Sequence, residues 1–334
     1  MRAVVLVGGF GTRLRPLTNA IPKPLLPVAH VPIVEHVVAN LGRAGVTEAV
    51  LALGFKPDRF RDAYPRGVCA GVRLVYAIEP EPLDTAGAIA FAARHAGIDD
   101  TFIVANGDVL TDLDVATLVA FHRDRRAEGT LHLTPVDDPS SFGVVPIDGD
   151  GRVIAFIEKP PRETAPTNLI NAGTYVLEPS VIDRVALGAR VSIERVTFPA
   201  IVADRGLYAM ATDDYWLDLG RPEPYLDANL DVLDGRRRHL HVKGIAEGAA
   251  VDGDARVKRS VVAASACVGR GAEVVDSVLL AGARVGEGAI VHRSILGPGT
   301  TVGPGAQLRA VVTGEAVDIA AGARLADCRV PEPD

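Results

Sequence analysis

Two cations and a run of glycines near the N-terminus carry the first chemical signal in this chain. The stretch Arg2-Ala3-Val4-Val5-Leu6-Val7 is short, apolar and β-branched, and it runs into Gly8-Gly9-Phe10-Gly11-Thr12-Arg13-Leu14-Arg15-Pro16-Leu17-Thr18. A second segment follows: Pro22-Lys23-Pro24-Leu25-Leu26-Pro27-Val28. A strand feeding a glycine-rich turn at the carboxyl edge of a sheet is where α/β folds bind nucleotides. Glycines let backbone N–H groups approach phosphate oxygens with no Cβ in the way. Arg13 adds a planar fork suited to phosphate, and Lys23 a compact point charge. Prolines hold both on a stiff loop. These residues read as a polyphosphate cradle. Two other phosphate-binding patterns are excluded by spacing. A dinucleotide fingerprint needs glycine where Leu14 stands, and the Gly-Lys-Ser/Thr of a Walker loop occurs nowhere.

A carboxylate comes next. Residues 101–105 read as an apolar strand that delivers Asn106-Gly107-Asp108. A carboxylate at the end of a central strand, beside a polyphosphate loop, is placed to hold Mg²⁺, which shares oxygen ligands with substrate phosphates.

The elements that must position these groups alternate. Residues 32–44 read as a helix with Pro32 in its first turn, Ile33, Val37 and Leu41 on one face, and Gly45 at its end. Strands over 48–53 and 72–77 flank a short helix over 57–64, and a further helix over 85–96 opens at the N-cap pair Asp84-Thr85. Such alternation predicts a parallel sheet with crossover helices. Residues 142–145 and 153–157 then read as paired strands around the turn Asp148-Gly149-Asp150-Gly151, and 222–233 as a closing helix.

The two N-terminal segments resemble the signature of the sugar-1-phosphate nucleotidyltransferases, the NDP-sugar pyrophosphorylases. Those proteins share G-G-x-G-T-R-L-x-P-L-T followed by P-K-P-L-L-P, and every fixed position is present here. Four further segments resemble family landmarks, in the family's order: Phe142-Gly143-Val144, Glu158-Lys159-Pro160, Asn171-Ala172-Gly173-Thr174-Tyr175 and Trp216-Leu217-Asp218-Leu219-Gly220. The resemblance implies a Rossmann-like nucleotidyltransferase domain with a mixed sheet. It implies nucleotide contacts from Leu6, Gly8, Gly9, Gly11, Thr12, Arg13, Lys23, Pro82, Thr85, Gly87 and Gly107. Gly143, Glu158, Lys159 and Asn171 would meet the sugar phosphate, and Asp108 and Asp218 the metal. Arg13, Lys23, Asp108 and Asp218 would be the catalytic set.

The segment Pro82-Leu83-Asp84-Thr85-Ala86-Gly87 is similar to the family's P-L-G-T-A-G, a version associated with guanylyl transfer, with Asp84 in place of glycine. The whole architecture resembles bacterial mannose-1-phosphate guanylyltransferases. The reaction so implied joins GTP and mannose-1-phosphate, with Mg²⁺, to GDP-mannose and pyrophosphate. Another NTP, or another sugar or cyclitol phosphate, is the alternative within the family. A non-catalytic sugar-nucleotide sensor or scaffold subunit is the rival from another class. Retention of Arg13, Lys23, Asp108, Lys159 and Asp218 favours the enzyme.

From residue 245 onward the composition shifts to Val, Ala and Gly, and aliphatic residues recur at steps of six, six and five. The series is Ile245, Val251, Val257; Val262, Val268, Val274; Leu279, Val285, Val291; Leu296, Val302, Leu308; and Thr313, Ile319, Leu325. Only Thr313 breaks it. A 17-residue coil of hexapeptide steps is a solenoid signature. It resembles the left-handed parallel β-helix found behind several sugar nucleotidyltransferases. Solenoid coils need covers at their ends, so an exposed end or side predicts contact between copies, a homo-oligomer. His292 lies in this region, but no long coil insertion is present to build an acyl-CoA site.

The expected organisation is a catalytic domain over 1–234, a linker over 235–244 and a β-helix over 245–334. Net charge is −7 across 334 residues, and no basic face suggests nucleic acid. The one basic cluster, Arg236-Arg237-Arg238-His239, reads as a solvated helix end or linker. No apolar run is long enough for a membrane span. Cys69, Cys267 and Cys328 fit neither a disulfide framework nor a zinc site. The N-terminus enters a strand without a leader pattern, and the expected location is cytoplasmic.

Overall fold

A computed structural model describes residues 1–54, 56–240 and 242–333. They fall into two compact units: residues 1–9 with 34–216, and residues 10–33 with 217–334.

The first unit holds a mixed sheet. Its strands are β1 (Arg2–Leu6), β2 (Glu48–Leu53), β3 (Val72–Ile78), β4 (Phe102–Asn106), β5 (Gly129–Pro135), β6 (Leu169–Leu177) and β7 (Leu207–Ala211). Its principal helices are α1 (Ile33–Arg43), α2 (Pro57–Ala63), α3 (Asp84–His95) and α4 (Val115–Arg125). β1 lies between β2 and β4, parallel to both, with Val4 opposite Val50 on one side and Val104 on the other. β3 extends the parallel set beyond β2. Unbroken apolar runs suit such strands because helices cover both faces of a parallel sheet, and Val4, Val50 and Val104 are fully buried.

The parallel pattern ends at β6, which runs antiparallel to both β4 and β5. The expected hairpin forms beside it, with Gly143–Val144 antiparallel to Ile157–Glu158 and a bridge between Ile147 and Val153.

Sequence reasoning did not single out β5. Its Gly-Thr-Leu-His-Leu-Thr-Pro alternation looks half-solvated, yet Thr130 and His132 are as buried as Leu131 and Leu133. The polar groups find partners inside: His132 Nε2 lies 2.9 Å from Thr212 Oγ1, and His122 Nδ1 of α4 lies 2.8 Å from Thr130 Oγ1. Burial pushes the His132 imidazole down to about 4, so it stays neutral near pH 7.

In the second unit, helix α5 (Pro222–Leu233) has the predicted bounds and precedes the repeat. The basic run after it is not wholly solvated. Arg237 is only 5% exposed, while Arg236 donates to Asp231 at 2.9 Å.

The repeat folds into a β-helix of parallel ladders in which each residue sits beside the one 17 positions on. Val251, Val268, Val285, Val302 and Ile319 form one inward column. Val257, Val274, Val291, Leu308 and Leu325 form another. At the first coil Ile245 is 41% exposed, as expected for a solenoid end. The break at Thr313 is accommodated rather than avoided. It is fully buried, accepts the Gly297 N–H at 2.8 Å and meets Thr300 Oγ1 at 2.8 Å. His292 pairs with Glu273 at 3.0 Å, both side chains partly exposed.

The aliphatic count missed a column of serines. Ser260, Ser277 and Ser294 are 17 apart and buried. Each hydroxyl accepts an N–H from the next coil: Ser277 N to Ser260 Oγ at 3.1 Å, Ser294 N to Ser277 Oγ at 3.1 Å, and Val311 N to Ser294 Oγ at 3.0 Å. Ser277→Ala leaves the buried Ser294 N–H without its acceptor, which should cost about 1–3 kcal/mol in urea unfolding. A loss within 0.3 kcal/mol (roughly the additivity error of such measurements) would show that the ladder does not stabilise the coils.

Candidate active site

The second unit contains most of the cradle. Gly11 adopts a left-handed conformation, φ 62°, and opens a tight turn over Thr12–Leu14. The turn is closed by the Leu14 N–H donating to Gly11 O at 3.0 Å and by the Thr18 hydroxyl donating to the same carbonyl at 2.8 Å. Leu14, Leu17 and Leu26 are buried, so the loop is pinned by its apolar residues while Thr12 and Arg13 face outward. The segment after it is anchored on α5: the Tyr225 hydroxyl donates to Pro27 O at 2.5 Å, and the Ala29 N–H donates to Asn229 Oδ1 at 2.8 Å.

This anchoring brings three expected site residues together. Lys23 is 6% exposed, and its ammonium lies 3.6 Å from Asp218 Oδ1. Gly220 supplies the space: a Cβ there would come within 2.8 Å of Arg13 Nη2 and 3.2 Å of Asp218 Oδ2. Lys23 thus meets the Asp218 carboxylate and Arg13 lies close by, the two cations on one loop backed by a helix. Such a cluster can hold a polyphosphate by its charge and orient it by the arginine fork.

In the first unit, Leu6 ends β1 half-buried, and Gly8 and Gly9 emerge from it toward solvent. Asp108 is placed by the residue before it. The Gly107 N–H donates to Leu6 O at 2.9 Å, and a Cβ on Gly107 would fall 2.5 Å from Val7 Cγ1. Only glycine lets the β4 end approach β1 so closely, and Asp108 emerges half-buried at that edge.

The base segment is built as a docked turn. Asp84 takes a left-handed φ of 60°, a conformation that glycine favours and that aspartate tolerates. Its Oδ1 accepts the Thr85 N–H at 2.8 Å. The Thr85 hydroxyl is engaged inside the protein, donating to Glu194 Oε2 at 2.7 Å and accepting the Ile193 N–H at 2.8 Å. Gly87 is a packing requirement, because a Cβ would sit 2.6 Å from Ala189 O. Pro82 is exposed.

Sequence reasoning assigned no role to Glu79 or Glu194. Glu194 holds Thr85. Glu79 follows β3, accepts the Leu83 N–H at 3.0 Å through Oε2, and lies close enough to Gly8 that a Cβ there would be 3.3 Å from Oε1. Partial burial raises its carboxyl above the ordinary range, against the Leu83 N–H, which lowers it. An acid at a strand's carboxyl end, next to a glycine-rich turn, was the available signal.

The sugar-side residues lie around the hairpin and β6. Gly143 pairs with Glu158 across the ladder. Glu158 Oε1 is 3.1 Å from Lys159 Nζ, with the lysine side chain 58% exposed. Asn171 donates to the Tyr175 hydroxyl at 2.9 Å and accepts the Gly173 N–H at 3.1 Å. Trp216 Nε1 donates to Ala172 O at 2.9 Å.

Among the described residues no three His, Cys, Asp or Glu side chains form a metal cage. Asp108 in the first unit and Asp218 in the second each offer carboxylate oxygens, a donor type that suits a hard cation drawing its other ligands from phosphate and water. Among the described residues no helix is long and apolar enough to cross a membrane.

Residues 2–235 match the family described as nucleotidyl transferase, and residues 242–333 match the one described as GMPPB C-terminal domain. The chain is 44% identical over 257 residues to a mannose-1-phosphate guanylyltransferase of Mycobacterium tuberculosis, covering 75% of this chain and 71% of that protein. It is 40% identical over 268 residues to probable mannose-1-phosphate guanylyltransferase 1 of Oryza sativa subsp. japonica, covering 78% and 73%. Among solved structures, HddC from Yersinia pseudotuberculosis complexed with GMP-PN is similar at a TM-score of 0.58 and 30% identity, over 68% of this chain and 97% of that one.

Proposed function

The chain belongs to the nucleotidyl transferase family, and on that premise we propose that it is a mannose-1-phosphate guanylyltransferase. It joins GTP and mannose-1-phosphate to GDP-mannose and pyrophosphate. The observation that carries this reading is the meeting of Arg13 and Lys23, both on one anchored loop, with Asp218.

A phosphate oxygen of the sugar phosphate attacks the α-phosphorus of GTP; the bond to the β-phosphate's bridging oxygen breaks, and its electron pair leaves with pyrophosphate. The nucleophile is already an anion, so no proton has to move. The work is alignment and charge neutralisation. Gly8, Gly9, Gly11 and Thr12 present backbone to the triphosphate. Arg13 and Lys23 hold its β- and γ-phosphates and neutralise the departing pyrophosphate. Lys159 orients the attacking phosphate, Glu158 and Asn171 take the sugar hydroxyls, and Gly143 keeps the hairpin close. Members of this family act with a divalent cation. We assign it as Mg²⁺, to which Asp108 and Asp218 would each offer carboxylate oxygens; when bound, it would screen the repulsion between two anionic reactants.

Leu6, Pro82, Gly87 and Gly107 shape the nucleotide's surroundings, and Thr85 acts through its backbone. Glu79 is the acceptor for the base. Guanine offers two adjacent donors, N1–H and N2–H, which a carboxylate accepts and which adenine lacks. Glu79→Gln should raise KM for GTP about tenfold, or about 1.4 kcal/mol, with unchanged thermal stability because the amide oxygen can still accept the Leu83 N–H. Unchanged GTP-over-ATP preference would remove Glu79 from base recognition.

The proposal includes a catalytic region over 1–234, a linker over 235–244, association between copies of the chain, and a cytoplasmic location. GTP labelled at the α-phosphate tests the reaction: with mannose-1-phosphate, the label should appear in GDP-mannose. Label remaining in GTP, or released as GMP, would refute it.

A further inference from the structure

The last β-helix coil touches the signature loop directly. Strand Arg324–Val330 is laddered in parallel to Gln307–Thr313, with Leu325 opposite Leu308, Arg329 opposite Val312 and Val330 opposite Thr313. A further bond, Gly314 N to Val330 O at 2.8 Å, fixes its end. From this fixed strand the half-buried Arg329 reaches back across the sequence. Its Nη1 donates to Arg13 O and to Arg15 O, each at 3.0 Å. A second contact lies alongside: a Cβ on Gly314 would come 3.2 Å from Pro16 Cβ.

We infer that the final coil sets the conformation of the glycine-rich loop, with Arg329 as the positioning residue. The two carbonyls that receive its N–H groups flank Leu14, whose side chain is buried, and belong to the residue that carries the Arg13 fork and to its second neighbour. Fixing both carbonyls fixes the direction in which the Arg13 side chain leaves the backbone. Hydrogen bonds from a charged donor are stronger than neutral ones, and a guanidinium presents its donors in a rigid plane. The repeat thereby acts on nucleotide binding while touching no substrate. The functional consequence rests on the loop's proposed triphosphate role; the tether itself does not.

The test uses the full chain without nucleotide first. In Arg329→Met, amide hydrogen exchange across residues 11–19 should quicken at least about fivefold, while Arg324→Met, an exposed neighbour on the same strand, should leave it unchanged. Arg329→Lys, which keeps a charged donor, should restore most of the protection. Gly314→Ala, which presses on Pro16, should loosen the same segment and gives a second reading if Arg329→Met fails to fold. Unchanged exchange in folded Arg329→Met, or in Gly314→Ala if that is the variant available, overturns the tether. Kinetics then read its consequence: KM for GTP rises about tenfold (about 1.4 kcal/mol), and KM for mannose-1-phosphate stays within about twofold. Combining Arg329→Met with Arg13→Met should cost little more than Arg13→Met alone, because both act through one guanidinium. Faster loop exchange with an unmoved KM for GTP supports the tether and counts against the triphosphate role of the loop.

Discussion

Asp108→Asn should lower turnover by about three orders of magnitude, about 4 kcal/mol of transition-state stabilisation, and leave the fold intact. The side chain is half-buried at the end of β4, and asparagine has its size and shape. Its position is set by the Gly107 backbone against β1, which the substitution does not touch. On the proposed role, what disappears is one of the two carboxylate charges that would hold the cation between two anionic reactants, leaving Asp218 alone. Steady-state rates at saturating Mg²⁺, with thermal unfolding alongside, decide it. Near wild-type turnover would remove Asp108 from the cation, and a collapse of stability would make it a structural residue.

Lys23→Met should have the next largest effect, a fall of about two to three orders of magnitude in kcat/KM for GTP. Lys23 is almost wholly buried at 6% exposure, and its ammonium lies 3.6 Å from the Asp218 carboxylate. Methionine fills the stem's volume but leaves Asp218 without that neighbour and, on the proposed role, the departing pyrophosphate with one cation fewer. Some stability should go too, about 1–3 kcal/mol, because a partly buried carboxylate loses a compensating charge. Lys23→Arg should rescue little, since the larger planar guanidinium enters a position only 6% exposed. Full activity in Lys23→Arg would show that only the sign of the charge matters there.

The reach of the sequence follows from contact distance along the chain. Arg13 and Lys23 were legible because both sit on one short loop whose glycines and prolines announce its shape. Asp108 was legible as a strand's last carboxylate. Asp218 has no local signature and was singled out only through the family resemblance around Trp216. The parallel strands and the inward columns of the β-helix follow periods that survive in one dimension. β5 was missed because its Thr and His residues imitate a solvated face, whereas they are buried and paired with His122 and Thr212. Glu79, Glu194 and Arg329 were missed for a common reason. Each acts on residues that the fold, not the sequence, makes neighbours, as when Arg329 bonds carbonyls more than 300 positions earlier.

The substrate pair is the centre of the account, and one grid tests it: GTP, ATP, CTP, UTP and dTTP, each with several sugar-1-phosphates and Mg²⁺, scored by pyrophosphate release. The account predicts release confined to GTP, highest with mannose-1-phosphate. Release with another nucleotide in preference to GTP, or nucleotide binding with no release in any combination, would contradict it, and the second result would place the chain among non-catalytic sensors of the same fold.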